Sequence, residues 1–285
     1  MTGPEPVSGK ATEGESSARI LMCAPQFFGV EYEINPWMNQ ERQVDHELAT
    51  KQWESLVSIL KSLGATIELV DPQPGLPDLV FTANAAMIFR NRSILSSFRH
   101  QQRQGEEQHF QSSLQKQGFE VVELPDGLFF EGAGDALFCG ETLFGGYRIR
   151  STAKSLQEVA RQIGRQVIPL ELVDSRFYHL DTCFCPVTSE TAIWFPTAFD
   201  EYGQQVIRSM IPDLITLSEI EAVEFAANAV VIGKHVVTNS GCPILADELR
   251  SHGIEAIDTP LSEFVKAGGS AKCLTLRLDG EDAAA

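Results

Sequence analysis

Apolar residues in this chain follow two alternating patterns, one typical of helices and one typical of strands. The first helical pattern consists of residues that would lie on one face of a helix: Val44, Leu48, Leu56, Leu60 and Leu63. Gly64 follows, at the position where glycine commonly ends a helix. The short apolar segment Thr66–Val70 comes directly afterwards. The pattern predicts a helix that ends at Gly64, followed by a strand.

The same pair of elements occurs four more times along the chain. The later helices are predicted to end at Gly118, Gly164, Pro212 and Gly253, and the strands after them to cover residues 119–124, 167–170, 214–217 and 254–257. Further apolar segments between these pairs are predicted strands, at residues 79–89, 137–144, 192–195 and 229–237. A unit repeated about every 45 residues indicates an array of similar modules. Five sheet-and-helix units predict a closed α/β propeller.

The first 18 residues differ from the rest in composition. They are rich in Gly, Pro, Ser and Glu and lack the apolar stretch of a signal peptide. We expect residues 1–18 to form a disordered tail and residues 19–285 to form one domain. No apolar run reaches the length that a membrane-spanning helix needs.

The net charge of the chain and its cysteine content limit which partners it could bind and which cellular compartment it could occupy. The formal net charge of −17 argues against nucleic acid and anionic membranes as partners, because both are polyanions. The six cysteines include no C-x-x-C pair and are too few for a disulfide framework in a chain of 285 residues. We therefore expect reduced thiols in a cytoplasmic protein.

Two segments combine acidic or basic side chains with apolar neighbours. In the first, Glu131 and Asp135 flank two glycines, which is consistent with an active-site turn or with a simple surface turn. In the second, residues 178–185, a strand would place four polar or thiol side chains on one face: His179, Asp181, Cys183 and Cys185. That face suits either a zinc ion or a general base beside an anchor for a cation. Since C-x-C lacks the common spacing of zinc ligands, we predict no metal.

A third segment carries a candidate nucleophile. Cys273 follows two glycines and a lysine and precedes an apolar strand, a setting in which nearby positive groups would favour the thiolate. Cys242 is the rival nucleophile, although its Ser-Gly-Cys-Pro context is typical of a connecting turn. Asn84, within an apolar run, is either a buried structural amide or a substrate contact. The residues alone indicate a possible Cys–His–carboxylate site and leave its substrate open.

In combination, these motifs resemble the guanidine-modifying (pentein) superfamily, and within it the arginine dihydrolase domain known from cyanobacteria. The resemblance covers Ile20 to Leu276, and it is strongest in six stretches: residues 34–38, 80–85, 103–107, 130–138, 177–186 and 266–277. Ser97 and Arg99 depart from the family pattern. The resemblance implies a five-bladed α/β propeller with pseudo-fivefold ββαβ repeats.

The resemblance also implies roles for individual residues. Cys273 would be the nucleophile, His179 the general acid and base, and Glu131 the carboxylate that works with it. Asp181 would anchor a guanidinium group. The remaining matches are to substrate-binding positions: Arg103 and Arg150 for the substrate carboxylate, Asn84 where deiminases carry an aspartate, Asn35 in the dihydrolase motif, and Asp135, whose role is open.

The implied activity is the hydrolysis of L-arginine to ornithine, CO2 and two equivalents of ammonia through a covalent cysteine intermediate. A one-cycle arginine deiminase or dimethylarginine hydrolase, giving citrulline, is the leading alternative. An amidinotransferase would need an amine acceptor, and a non-catalytic member of the family would bind a ribosome or another protein. No cofactor is expected, and a homo-oligomer is possible.

Overall fold

The computed structural model describes residues 18–280. The predicted tail lies outside the described residues except for Ala18, which is buried and whose carbonyl accepts a hydrogen bond from the backbone N–H of Thr66. Within residues 18–280, fifteen strands form five three-stranded sheets.

The chain enters the fold partway through one unit and then traverses four complete ones. The first elements are β1 (Arg19–Cys23), α1 (His46–Ser62) and β2 (Thr66–Val70). The second unit contains β3 (Ala86–Phe89), β4 (Arg92–Leu95), α2 (Gln101–Gln104), α3 (Glu107–Lys116) and β5 (Glu120–Val122). The third contains β6 (Ala136–Cys139), β7 (Thr142–Tyr147), α4 (Ala153–Ile163) and β8 (Val167–Glu171).

The remaining elements repeat this order. The fourth unit contains β9 (Phe184–Pro186), β10 (Thr191–Trp194), α5 (Glu201–Met210) and β11 (Asp213–Thr216). The fifth contains α6 (Glu219–Val223), β12 (Val230–Ile232), β13 (His235–Asn239), α7 (Pro243–Ser251) and β14 (Glu255–Thr259). The last elements are α8 (Ser262–Val265) and β15 (Leu276–Arg277).

Each sheet combines one antiparallel and one parallel strand pair. In the third unit, β6 runs antiparallel to β7, with Leu137 opposite Phe144, and β7 runs parallel to β8. The helix between the parallel strands provides the crossover that such a pair requires. The first sheet closes the ring, because β15 pairs with β1 and places Leu276 opposite Leu21. The prediction of a closed propeller of five ββαβ units is therefore confirmed.

Local signals at the helix ends agree with the hydrophobic pattern. The Asp45 side chain caps α1 by accepting a hydrogen bond from Leu48 N at 3.0 Å, and Leu56 and Leu60 are fully buried. After α4, Gly164 has φ +64°, a backbone conformation that glycine adopts at little cost. Each predicted helix thus exists, and each is followed by the predicted strand.

The apolar segments between those pairs differ from the prediction. Residues 137–144 and 229–237 are not single strands but hairpins, which turn at Gly140 and Gly233 with φ +57° and +56°. In residues 79–89, only Ala86–Phe89 is a strand, and two 3₁₀ turns precede it, at Pro77–Val80 and Thr82–Asn84. Short apolar runs carry too little periodicity to distinguish these cases.

Two site segments also differ from the expected strands. Leu180–Thr182 forms a 3₁₀ turn before β9, so His179, Asp181, Cys183 and Cys185 do not share a strand face. Cys273 lies in a turn three residues before β15 rather than at the start of that strand. In both places the backbone N–H groups bond within the turn, from Cys183 N to Leu180 O and from Thr275 N to Lys272 O.

Candidate active site

The candidate site lies where the turns before the first strand of each unit come together. Glu131 and His179 each stand five residues before their strand, at Ala136 and Phe184. Asp181 and Cys273 each lie three residues before the start of a strand. Asn84 and Asn228 each lie two residues before one. The repeat therefore brings residues that are far apart in the chain to corresponding places around one axis.

Two glycines allow neighbouring turns to approach closely. A Cβ atom on Gly132, which has φ +62°, would lie 2.9 Å from the carbonyl oxygen of Ala83. A Cβ atom on Gly134 would lie 2.3 Å from Asn84 Nδ2 and 3.4 Å from His179 Cγ. Side chains at these positions would force the turns apart, so the two glycines in the Glu131 segment serve the packing of the site.

Glu131 and His179 form a buried pair. His179 Nε2 lies 2.7 Å from Glu131 Oε2, and Arg150 Nη1 lies 2.9 Å from the same oxygen. Burial alone would raise the pKa of Glu131, but Arg150 and His179 hold it well below its usual range. The ionised carboxylate can only accept, so the proton of the neutral imidazole resides on Nε2. Nδ1 is buried, has no hydrogen-bond partner among residues 18–280, and is left to exchange protons.

Cys273 lies between a carboxylate and an amide. Its Sγ is 3.5 Å from Asp181 Oδ2 and 3.1 Å from Asn228 Nδ2. Burial, reinforced by the negative charge of Asp181, raises the pKa of the thiol well above its ordinary value. A cation bound beside Asp181 would oppose the second effect and favour the thiolate.

The rival cysteine is placed differently. Cys242 lies just before α7 and packs in a hydrophobic cluster that includes Leu245. Burial raises its pKa to about 12. Among the described residues, no hydrogen bond links it to His179, Glu131 or Asp181. The structure thus brings Cys273 into the site and leaves Cys242 outside it.

Arg103 belongs to a buried network at one side of the cavity. Its guanidinium makes two hydrogen bonds to the Glu106 carboxylate, at 2.9 and 2.8 Å, and a third, from Nη1 to Asn84 Oδ1, at 2.9 Å. Nη2 also donates to the carbonyl of Asp78 at 3.2 Å. Asn84 donates through Nδ2 to the carbonyl of Glu131 at 3.2 Å. Asn84 therefore retains one amide N–H and one lone pair for a ligand.

Asp135 supports the site without facing the cavity. Its Oδ2 accepts from the Ser151 hydroxyl at 2.6 Å, and its Oδ1 accepts from Leu180 N at 3.1 Å. Ser151 Oγ in turn accepts from Glu131 N at 3.0 Å. Burial raises the pKa of Asp135 to about 6. Asp135 therefore connects the turn that carries Glu131 to the turn that carries His179.

The long connection between β1 and α1 covers the site. Ile34 O accepts from Arg150 Nη2 at 3.1 Å, and Trp37 Nε1 donates to Arg176 O at 2.7 Å. Asn35 uses its amide within the protein, because Nδ2 donates to Ala267 O and Oδ1 accepts from Trp37 N. Beneath this segment is a small cavity, and its lining includes Asn35, Asp78, Asn84, Arg103, Arg150, Tyr178 and Cys273.

The two residues that depart from the family pattern lie next to Glu131. Ser97 pairs with Phe130 in an isolated antiparallel bridge. The backbone N–H of Arg99 donates to Glu131 Oε1 at 3.3 Å, and its Nε donates to the carbonyl of Arg150 at 2.8 Å. Both therefore help to position the residues around the cavity.

Sequence reasoning missed three buried residues of the site: Asn228, Asp78 and Glu106. A signal for Asn228 exists, because Phe225-Ala226-Ala227-Asn228-Ala229 repeats the pattern Phe-x-Ala-Asn-Ala of residues 81–85. Asp78 lines the cavity, and its Oδ1 has no partner within the described part of the chain. Burial raises the pKa of Asp78, while Arg103 partly opposes that effect. No local pattern marks Glu106, whose function depends on its contact with Arg103.

The described residues offer neither a metal-binding cluster nor a membrane-spanning helix. Over residues 18–280, no group of three or more His, Cys, Asp or Glu side chains is arranged to hold a metal ion. The sulfur of Cys183 lies against the backbone carbonyls of its own turn. All six cysteines fall in the described region, where they are buried and form no disulfide. None of the described helices is both long and apolar enough to cross a bilayer.

Comparisons with known proteins agree with this fold. The family model for eukaryotic N,N dimethylarginine dimethylhydrolase matches residues 28–278. The bifunctional arginine dihydrolase/ornithine cyclodeaminase ArgZ of Synechocystis sp. is 45% identical over 91% of this chain, which spans only 37% of that protein. The N(G),N(G)-dimethylarginine dimethylaminohydrolase of Mycobacterium tuberculosis is 38% identical, and the alignment covers 91% of this chain and 85% of that enzyme.

A solved structure extends the likeness to three dimensions. It is a variant of the N-terminal domain of ArgZ covalently bound to a reaction intermediate, with a TM-score of 0.89 and 44% identity. The match covers 92% of this chain and 98% of that domain. From the family match and these identities, the chain belongs to the dimethylarginine dimethylhydrolase family of the guanidine-modifying (pentein) superfamily.

Proposed function

We infer that the protein is an arginine dihydrolase, which converts L-arginine to ornithine, CO2 and two equivalents of ammonia. The observation that carries this proposal is the cavity lined by Asn84 and Cys273, with Asp181 Oδ2 3.5 Å from the Cys273 sulfur, in a chain 45% identical to the matched part of ArgZ. The cavity and its surroundings contain a charged side chain for each charged group of arginine: the guanidinium, the α-carboxylate and the α-ammonium group.

The charges around the cavity favour a substrate with a net positive side chain. Among residues 18–280, five buried carboxyl groups lie in or next to the site: Asp78, Glu106, Glu131, Asp135 and Asp181. Two buried arginines oppose them, Arg103 and Arg150. A bound guanidinium would supply the missing positive charge, because buried charges are stable only when they are paired.

The two ends of the substrate would bind on different sides of the cavity. Asp181 would pair with the guanidinium, since its carboxylate lies beside the reacting sulfur. Arg150 would bind the α-carboxylate through Nε, which is buried and has no partner in the described residues. Asp78, with one free carboxylate oxygen, would receive the α-ammonium group. The positive charge of Arg103 would also stabilise the α-carboxylate of the substrate, while its guanidinium remains bonded to Glu106.

The chemistry would be divided among Cys273, His179 and Glu131. His179 Nδ1 would take the thiol proton, the thiolate would attack the guanidinium carbon, and the proton would pass to the departing ammonia. Glu131 would stabilise the imidazolium that forms during transfer. His179 would then remove a proton from water, which attacks the thiouronium carbon, releases citrulline and restores the thiol. A second cycle on the ureido carbon would yield ornithine, ammonia and CO2.

Asn84 is the residue that would permit the second cycle. A guanidinium offers only N–H donors, whereas the ureido group of citrulline also has a carbonyl oxygen. The remaining lone pair and N–H of the Asn84 amide can serve both groups. An aspartate at this position could only accept, so it would repel the ureido oxygen and favour release of citrulline.

Product analysis tests the proposal. We expect purified protein incubated with arginine to produce ornithine and two equivalents of ammonia, and Asn84→Asp to accumulate citrulline at the expense of ornithine. Chromatography of the amino acids and an ammonia assay would measure both. If the native protein accumulates citrulline and never forms ornithine, it is a deiminase and the dihydrolase assignment is wrong.

Dimethylarginine hydrolysis is the second candidate. It is favoured by the family model and by the 38% identity to the Mycobacterium tuberculosis enzyme over 85% of that enzyme's length. The same cysteine chemistry would then release dimethylamine and stop at citrulline. Supplying arginine and asymmetric dimethylarginine in parallel, and comparing kcat/KM, distinguishes the two candidates.

A further inference from the structure

The carboxamide of Asn228 is fully buried and bonds to the turn that carries Cys273. Its Oδ1 accepts from the backbone N–H groups of Ser270 and Cys273, at 3.0 and 3.1 Å. Its Nδ2 donates to Cys273 Sγ at 3.1 Å and to the backbone carbonyl of Asp181 at 3.1 Å. The backbone carbonyl of Asn228 accepts from Lys272 N at 3.2 Å. One residue therefore holds both the turn and the sulfur atom.

We propose that Asn228 activates the Cys273 nucleophile by donating an N–H to its sulfur while its carbonyl oxygen holds the turn at the correct position. The proposal deepens the proposed function and rests on it, because it assigns to Cys273 the role of nucleophile. Asn228 touches a reacting atom, so its effect extends beyond maintaining the fold.

The need for such a donor follows from the surroundings of the sulfur. Burial and the Asp181 carboxylate both oppose formation of the thiolate, since each disfavours negative charge at this place. A hydrogen bond to an ionised group is stronger than one between neutral groups. The Asn228 N–H therefore binds the thiolate better than the thiol, and it lowers the thiol pKa relative to a site without it.

Two substitutions separate the sulfur contact from the support of the turn. Asn228→Asp keeps an oxygen that can accept from Ser270 N and Cys273 N, but it replaces the sulfur donor with a second oxygen. Asn228→Ala removes both contacts and places no new charge in the core. Thr238→Val is the matched control, because Thr238 Oγ1 bonds to Ala226 O in the Asn228 turn at 3.0 Å and does not bond to Cys273.

The experiment measures alkylation of Cys273 by iodoacetamide as a function of pH, with peptide mass spectrometry to separate it from the five other cysteines. We expect Asn228→Asp and Asn228→Ala to slow alkylation of Cys273 about tenfold or more at neutral pH, and to move its midpoint upward by about one pH unit. Thr238→Val should alkylate at the native rate. Thermal unfolding would show which variants remain folded.

Two results would overturn the proposal. One is alkylation at the native rate in a folded Asn228→Asp or Asn228→Ala protein. The other is equal slowing in Thr238→Val, which would show that support of the turn, rather than the sulfur contact, governs reactivity. If Asn228→Asp does not fold, Asn228→Ala decides the matter.

The measurement is independent of the substrate. A failure to hydrolyse arginine would refute the proposed function while the alkylation profile still reports on Asn228. Where arginine is turned over, we expect the Asn228 variants to lose kcat by about tenfold or more with little change in KM, because the amide contacts the nucleophile rather than the binding groups.

Discussion

Two turns of this protein have the same sequence pattern but make different contacts. Phe81-Thr82-Ala83-Asn84-Ala85 and Phe225-Ala226-Ala227-Asn228-Ala229 both precede the first strand of their unit, and each asparagine stands two residues before that strand. Asn84 lines the cavity and bonds to Arg103. Asn228 instead bonds to Cys273 and its turn. Corresponding local sequences thus yield one residue that lines the cavity and one that contacts Cys273.

The difference arises from the connections that follow the hairpins. Residues 96–106 link β4 to α3 and bring Arg103 and Glu106 over the Asn84 turn. The corresponding link between β13 and α7 is only residues 240–242, which carry no arginine. Both amides form a hydrogen bond with the next turn along the ring. Asn84 donates to Glu131 O, and Asn228 accepts from Cys273 N. The turn supplies the amide, and its neighbours decide what the amide does.

Removing the sulfur that Asn228 contacts should have the largest effect. We expect Cys273→Ser to reduce arginine turnover by at least about 10³-fold, because a neutral hydroxyl is a far weaker nucleophile than a thiolate. Cys242→Ser should leave most of the activity, since Cys242 lies outside the site. Steady-state kinetics on both variants measures this. Inactivity of Cys242→Ser together with an active Cys273→Ser would invalidate the assignment of the nucleophile.

Displacing the Asn84 amide should reduce activity less than removing the Cys273 sulfur. In Gly134→Ala, the new methyl group would lie within 2.3 Å of Asn84 Nδ2 and would displace that amide. A misplacement of about 1 Å at such a site can reduce the rate by roughly 10²-fold. We expect this loss in kcat/KM while alkylation of Cys273 stays close to native, because Asn228 is untouched.

The control for that variant lies in the same short segment. Ala133→Ser would change a buried neighbour of Gly134 without adding a group at the Gly134 contact, and the thermal unfolding of both variants would be compared. Native kinetics in Gly134→Ala would show that Asn84 tolerates displacement, and that the close approach of the turns has no bearing on catalysis.

The pH dependence of kcat/KM should show the smallest difference between the two turns. The pKa of Glu131, beside Asn84, is held low, so this carboxylate stays ionised throughout the neutral range. The pKa of Cys273, beside Asn228, is raised, so the free enzyme holds mostly thiol there. We expect kcat/KM to rise about tenfold per pH unit on the acid side of its maximum, since it reports ionisation of the free enzyme. A profile that is flat between about pH 6 and pH 8 would contradict this.

Local sequence was sufficient to predict the units of the fold. The signals for these units are local, since each extends over only a few residues. They include the spacing of Leu56 and Leu60, the cap of α1 and the glycine that follows several helices, and the structure agrees with them. The motifs around Glu131, His179 and Cys273 were also recognisable, because polar side chains in apolar runs are conspicuous. Family resemblance, rather than spacing, supplied the roles of these residues, and those roles remain predictions.

Only the tertiary structure decided which of those residues meet. Cys273 and Asp181 are 92 positions apart in the chain, and Asn228 and Cys273 are 45 apart. Their contacts exist because β15 pairs with β1 and closes the ring, which places corresponding turns around one axis. The packing of neighbouring segments also determined that Arg103 bonds to Asn84 and that Asp135 links two turns. Periodicity specifies the neighbours of a residue along its own helix or strand, whereas contacts across the axis depend on how all five units pack.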